Sequence, residues 1–273
     1  MRREDGGVAM ILRTLLYYLT LMTFTVYWAT ACIVAAFLGV KHRTGGVYDQ
    51  AAREWSKALL RAAGCPVRLA GFEKVPSDRP VVYVSNHQSW FDILALAGWI
   101  PGTLRFVAKK EMASIPLLGR AMKAAGHIYV DRANRAQALE AYEEVAGWIR
   151  DGLSTVVFAE GTRSRTGELQ PFKKGPFVLA IAAQVPVVPV YCANTFDILP
   201  KASLLIHPRP ITLYFDDPIP TEGMTYEDRS ELVTRSQAAV ERLRDRARED
   251  LRSKTQKEMA SIPLLGRAMK AAG

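Results

Sequence analysis

From Thr14 to Val40 the chain runs for 27 residues without one charged side chain. At about 1.5 Å per residue a helix of that length exceeds the ~30 Å hydrocarbon core of a bilayer. The run is too long for the apolar region of a signal peptide, and Lys41-His42-Arg43 follows it where a cleavage site would stand. Tyr17, Tyr18, Tyr27 and Trp28 are amphipathic aromatics suited to a membrane interface. Basic residues flank both ends: Arg2, Arg3 and Arg13 before, Lys41, Arg43, Arg53, Lys57 and Arg61 after. Symmetric flanks fit a single tilted span and fit equally a helical hairpin dipping into one leaflet. Residues 1–45 are therefore expected to form a membrane anchor.

The rest of the chain is long enough to bury a core of its own, at about 150 residues per domain. Of the 273 residues 49% are hydrophobic and 23% charged. That is ordinary globular usage and excludes a wholly disordered chain, a collagen and a polytopic membrane protein. Lys and Arg total 36 against 27 acids, a net charge of +9. The surplus points to an anionic partner without choosing among nucleic acid, phosphate-bearing substrate and acidic lipid. Cys32, Cys65 and Cys192 form no CxxC pair and read as small buried hydrophobes.

Residues 46–252 alternate short apolar runs with helical patterns. Val81–Val84, Leu104–Val107, Ile128–Val130, Thr155–Phe158, Val187–Tyr191 and Ile211–Phe215 read as strands. Phe91–Ile100, Asn134–Arg150 and Glu227–Arg252 read as helices. The last carries an apolar stripe of Val233, Val240, Leu243, Ala247 and Leu251. This alternation predicts an α/β fold, a mixed, mostly parallel sheet flanked by helices. The tail, residues 253–273, contains a repeat: Lys257–Gly273 is identical over 17 residues to Lys110–Gly126. It reads as a recent partial duplication or a sequence-assembly or cloning scar, or else as an added amphipathic tail. Site assignment rests on the first copy.

Three clusters carry chemistry. In Asn86-His87-Gln88-Ser89-Trp90-Phe91-Asp92 the five-residue spacing separates His87 and Asp92 by ~140° on a helix. They meet only if His87 ends a strand and Asp92 lies in the first turn of the helix that follows. A carboxylate on one imidazole nitrogen then fixes the tautomer and frees the other as a general base. Phe158-Ala159-Glu160-Gly161-Thr162-Arg163-Ser164-Arg165 follows a strand, at the sheet edge where α/β proteins bind ligands. Gly161 permits close backbone approach, and Arg163 offers a planar donor fork for phosphate. Arg165, Lys173 and Lys174 add positive field. Lys109, at a strand exit, can point to the same edge as His87. On composition alone each cluster also fits a structural histidine, a solvated basic loop or a connection.

Together, in order, these segments resemble the glycerolipid acyltransferase family. Residues 86–92 resemble its NHxxxxD motif, and residues 158–165 its EGTR motif. Ala108–Met112, Ile115–Gly119 and Gly126–Arg132 resemble its second block, and Val185–Val190 its apolar, proline-bearing fourth. Met112 stands where many relatives carry Leu. Within the family the likeness is greatest to bacterial 1-acylglycerol-3-phosphate acyltransferases.

The resemblance implies that His87 is the general base and that Asp92 orients it. It implies that Arg163 and Lys109, with Gly161 and Thr162, hold the acceptor phosphate, supported by Asn86 and Glu160. The implied reaction moves an acyl chain from acyl-CoA or acyl-carrier protein to the sn-2 hydroxyl of lysophosphatidic acid, giving phosphatidic acid. It implies no cofactor beyond the acyl donor, a bilayer as partner and a place on the cytoplasmic face of the cell membrane. Another acceptor, such as a lyso-ornithine lipid or glycerol 3-phosphate, and a catalytically silent lipid-binding protein remain as alternatives. No zinc-finger or RNP-type motif supports nucleic-acid binding, and no GxSxG elbow or metal-ligand spacing is present.

Overall fold

A computed structural model describes residues 2–42, 46–130, 135–200 and 203–261. Seven strands form one sheet: β1 (Val67–Ala70), β2 (Val82–Ser85), β3 (Leu104–Lys109), β4 (Ile128–Val130), β5 (Ser154–Phe158), β6 (Val187–Ala193) and β7 (Ile211–Phe215). Their order is β1-β7-β6-β2-β5-β3-β4. Every pairing is parallel except β6 with β7, which is antiparallel. The expected mixed, mostly parallel α/β sheet is thus present. β2 and β6 are buried along their whole length. That is why they read as unbroken apolar runs: helices cover both faces.

The helices are α1 (Arg2–Phe37), α2 (Val47–Ala63), α3 (Trp90–Trp99), α4 (Leu118–Ala124), α5 (Arg135–Arg150), α6 (Gly175–Ala183) and α7 (Arg229–Ser261). Tyr17 of α1, Leu59 and Leu60 of α2, and Phe91 and Leu94 of α3 pack on one face with Val156 and Val190. Val145 and Ile149 of α5, Phe177 of α6 and Leu243 of α7 pack on the other with Val84 and Val157. Asn134, Asp131 and Arg132 of the sequence motifs lie outside the described residues, as does the duplicate beyond Ser261.

The apolar N-terminal segment is one continuous helix and not a hairpin in itself; α2 supplies the returning arm. It is the one helix among the described residues long and apolar enough to cross a membrane. It also packs on the sheet domain along much of its length. Near its start Thr14 Oγ1 accepts the amide of Ile206 at 3.0 Å. Near its end Ala29, Cys32 and Ala35 meet Tyr48 and Ala51 of α2, Ala121 of α4 and Ala125 at its C-cap. Small residues at this crossing let three helices approach closely. The opposite face leaves Leu12, Leu15, Leu19, Met22 and Val26 more than half exposed.

One helix expectation changes. α7 buries Leu232, Ala239, Val240, Leu243 and Ala247, whereas Leu251 is exposed. On that turn Asp250, itself exposed, accepts from the Tyr214 hydroxyl at 2.9 Å. β1 and α2 are additions to the sequence reading.

Candidate active site

β2, β5 and β3 are adjacent and parallel, so their carboxyl ends open on one edge of the sheet. His87 follows β2, Glu160 to Arg163 follow β5, and Lys109 closes β3. Asn86 extends the central ladder with its side chain. Its Nδ2 donates to the Cys192 carbonyl at 3.2 Å, and its Oδ1 accepts the Cys192 amide at 2.7 Å. An amide side chain can make this reciprocal pair with a strand because it carries the peptide group's own donor and acceptor.

Ser89 caps α3, its hydroxyl accepting from the Phe91 amide, and Asp92 completes a capping box. The box turns the Asp92 carboxylate back toward β2. Asp92 Oδ2 lies 2.9 Å from His87 Nδ1 and also accepts the amides of Gln88 at 2.7 Å and Ser89 at 2.8 Å. A carboxylate only accepts, so Nδ1 carries the proton and Nε2 keeps a lone pair. The His87 ring stacks on Phe158 with centroids 3.8 Å apart and planes at 15°. Ring stacking and the Asp92 bond fix the imidazole in two directions. The predicted strand-then-helix geometry is the one observed.

The loop after β5 is tied to the same place. Glu160 is buried, and its Oε1 accepts the His87 amide at 2.9 Å. Burial pushes its carboxyl up to about 7, against the pull of the His87 and Gln170 amides. Gly161 has φ 76°, in the left-handed region that favours glycine. The Ser164 amide donates to the His87 carbonyl at 2.7 Å.

A cavity of about 580 Å³ opens at this edge. His87, Lys109, Gly161, Thr162 and Arg163 all line it. Its other walls are mostly apolar: Trp28 and Cys32 of α1, Trp55 of α2, Ala97 of α3, Ala121 and Met122 of α4. Asp92, Asn86 and Glu160 stand behind the lining and hold it. Lys109 reaches the cavity with its ammonium engaged by Glu111 at 2.8 Å. Chemically the arrangement offers an oriented proton acceptor, an exposed guanidinium and apolar room for a long chain. No group of three or more His, Cys, Asp or Glu able to hold a metal occurs among the described residues.

Residues 66–193 match the acyltransferase family model. Over 229 residues the chain is 33% identical to a 1-acyl-sn-glycerol-3-phosphate acyltransferase of Cocos nucifera, covering 82% of this chain and 73% of that protein. The chain belongs to the acyltransferase family. It is 35% identical over 173 residues to the human 1-acyl-sn-glycerol-3-phosphate acyltransferase alpha, which covers 63% of this acyltransferase and 61% of the human protein. The crystal structure of the 1-acyl-sn-glycerophosphate acyltransferase PlsC from Thermotoga maritima superposes with a TM-score of 0.71 at 26% identity. That match covers 87% of this chain and 97% of that one.

Three parts of the acyltransferase site escape sequence reading, whereas His127 is the structural histidine of the second block. Phe158 under the His87 ring and Trp55 in the cavity wall read locally as core. Gln88 donates to the Gly167 carbonyl at 2.6 Å, joining the two motif loops. Its place between His87 and Asp92 was the available signal. His127 lines the cavity and its Nδ1 accepts the Phe106 amide at 3.1 Å. Burial, with Arg105 and His42 nearby, lowers its pKa to about 3, so it stays neutral and structural.

Proposed function

We propose that this acyltransferase moves an acyl chain from a thioester donor, acyl-CoA or acyl-carrier protein, to the sn-2 hydroxyl of 1-acylglycerol 3-phosphate. The product is phosphatidic acid. One observation carries the reading: the oriented His87 and the Arg163 guanidinium open on one apolar cavity. A base, a phosphate fork and room for a chain match the three parts of a lysophosphatidic acid. Relatives named for that reaction cover 82% of the chain in one case and 63% in another.

His87 Nε2 takes the proton of the acceptor hydroxyl while Asp92 stabilises the imidazolium. The oxygen attacks the thioester carbonyl carbon, and the C–O bond forms. The C–S bond then breaks, and the thiolate leaves with little acid assistance. The proton on His87 returns to the thiolate or to water. No covalent acyl-enzyme and no cofactor are needed. Arg163 and Lys109 hold the acceptor phosphate at the loop that Gly161 and Thr162 shape, so positioning and base catalysis share the work.

The exposed face of α1 supports attachment to a bilayer, on the cytoplasmic side where the donors are made. Because α1 touches the sheet domain at both Thr14 and Cys32, about 27 Å apart along a helix, it fits a helix lying along one leaflet.

The test is acyl transfer from labelled palmitoyl-CoA to lysophosphatidic acid and to its phosphate-free monoacylglycerol, side by side. Turnover of the phosphate-bearing acceptor alone, with the preference lost in Arg163→Ala, is the expected result. Equal use of both acceptors would remove Arg163 from the phosphate site. Turnover only with another lyso-lipid would move the reaction to that acceptor.

A further inference from the structure

His127 spends one ring nitrogen on the fold and not the other. The bond that makes it structural uses Nδ1 alone, which accepts the Phe106 amide at 3.1 Å. Burial keeps the ring neutral, so its one proton sits on Nε2. That N–H donates to no group among the described residues, and the atom is not sealed in the interior. His127 is half-buried and lines the cavity at the active site. The Nε2–H therefore faces the cavity.

A line of rings leads to it from the base. The His87 and Phe158 centroids are 3.8 Å apart, those of Phe158 and Phe106 6.4 Å, and those of Phe106 and His127 5.9 Å. The donor thus stands two rings away from the reacting atoms, beside the middle of a long chain that starts at His87. Below Lys109 the wall that β3 and α4 contribute is otherwise apolar: Phe106, Val107 and Ala108, then Leu118, Ala121 and Met122. In the α1 wall Trp28 Nε1 is a second N–H without a partner among the described residues, whereas Trp55 Nε1 donates to Thr25 Oγ1 at 2.9 Å. A plain hydrocarbon chain expels water and leaves such donors unmet, which costs free energy; an oxygen on the chain meets them.

We propose that His127 sets a chain preference: its Nε2–H takes an oxygen substituent, a hydroxyl or a keto group, carried in the middle of an acyl chain. The inference rests on the cavity being the acyl-chain site of the reaction proposed above. A neutral imidazole offers one hydrogen bond and no charge, so it suits an uncharged oxygen and not an anion. The same contact serves a chain arriving on the donor thioester or one already esterified in the acceptor, and the experiment separates the two.

In one arm the full chain, in neutral detergent micelles, receives an equimolar mixture of stearoyl-CoA and 12-hydroxystearoyl-CoA with 1-palmitoyl lysophosphatidic acid. The product ratio is read by mass spectrometry. The other arm supplies palmitoyl-CoA with an equimolar mixture of 1-stearoyl and 1-(12-hydroxystearoyl) lysophosphatidic acid. The hydroxylated chain should be preferred about 5-fold in one arm, which identifies the chain that fills the cavity. His127→Phe should bring that ratio to about 1, and His127→Gln, which keeps an acceptor and an N–H, should restore part of it. A ratio within one mixture is unaffected by a change in overall rate. A ratio near 1 in both arms for the unaltered protein, or a preference that His127→Phe retains, would overturn the chain preference and leave the reaction standing. Titration with stearate and 12-hydroxystearate, read by quenching of the cavity tryptophans, makes the same comparison without turnover. A Kd about 5-fold lower for the hydroxy acid, with no transfer in either arm, would keep the contact and remove the reaction. Equal Kd values with no transfer would remove both.

Discussion

Asp92 Oδ2 binds His87 Nδ1 and the amides of Gln88 and Ser89 at the same time. One oxygen thus starts α3 and orients the imidazole, so the helix cap and the catalytic geometry are the same contact. In Asp92→Asn the side-chain oxygen can keep the same three contacts, but the negative charge that stabilises the imidazolium is lost. Acyl transfer should fall by about 10²- to 10⁴-fold, mainly in kcat. Steady-state rates on lysophosphatidic acid check this; a loss under 3-fold would dismiss the orienting role.

Glu160 predicts a pH dependence of stability. Its carboxyl sits at about 7 in the folded protein against an ordinary 4.5. The folded state therefore binds more protons than the unfolded one across that interval. Stability is full below about pH 4.5, declines as pH rises to 7 and levels off above it, a loss of about 3 kcal/mol. Glu160→Gln keeps an acceptor for the His87 amide and cannot ionise. Denaturant unfolding from pH 5 to 8 should show the variant gaining on the parent as pH rises. Parallel curves would mean that Glu160 does not titrate there.

Asn86→Ala removes the two side-chain bonds that extend the β2–β6 ladder and leaves the Cys192 amide and carbonyl without them in the core. The cost should be about 2–4 kcal/mol, a Tm lower by roughly 5–10 °C. Asn86→Asp should be at least as damaging, because its charge would face the Cys192 carbonyl. Thermal melts followed by circular dichroism decide it, and a shift below 2 °C for either variant would contradict the account.

The exposed face of α1 should drive membrane association. Leu15→Lys/Leu19→Lys places two charges at positions more than half exposed, so the melting temperature should hold. Binding to neutral phosphatidylcholine vesicles, measured by co-sedimentation, should drop at least 10-fold. Undiminished binding would assign attachment to another surface.

Arg105 is a buried cation with Asp49 Oδ1 at 2.5 Å and the His42 carbonyl at 2.6 Å. It ties the α1–α2 hairpin to β3. Arg105→Met removes the charge and strands Asp49, whereas Asp49→Asn strands Arg105 in the interior. The second should cost more, about 3–5 kcal/mol. Comparing the two by urea unfolding tests whether burial of the cation, rather than the ion pair as such, governs the joint.

The local pattern of residues already determined much of this protein. Unbroken apolar runs marked β2 and β6 because both faces of those strands are covered. The His87–Asp92 spacing revealed a strand-to-helix turn because a helix alone would part the two side chains. β1 was illegible: it has four residues, lies at the sheet edge and carries the exposed Arg68. The cavity was illegible for a different reason. Its walls come from segments as distant as Trp28, Ala97 and Met122, brought together only when α1 and α2 settle on α4. The repeated Lys-Glu-Met-Ala-Ser shows the limit most plainly. At 110–114 it forms a 3-10 turn, followed by Gly119, where a Cβ would collide with the Ala113 carbonyl oxygen. At 257–261 the same five residues continue the α-helix of α7. Identical side chains carry identical local preferences, so the difference comes from what precedes them: a strand exit at the site in one copy, an established helix in the other.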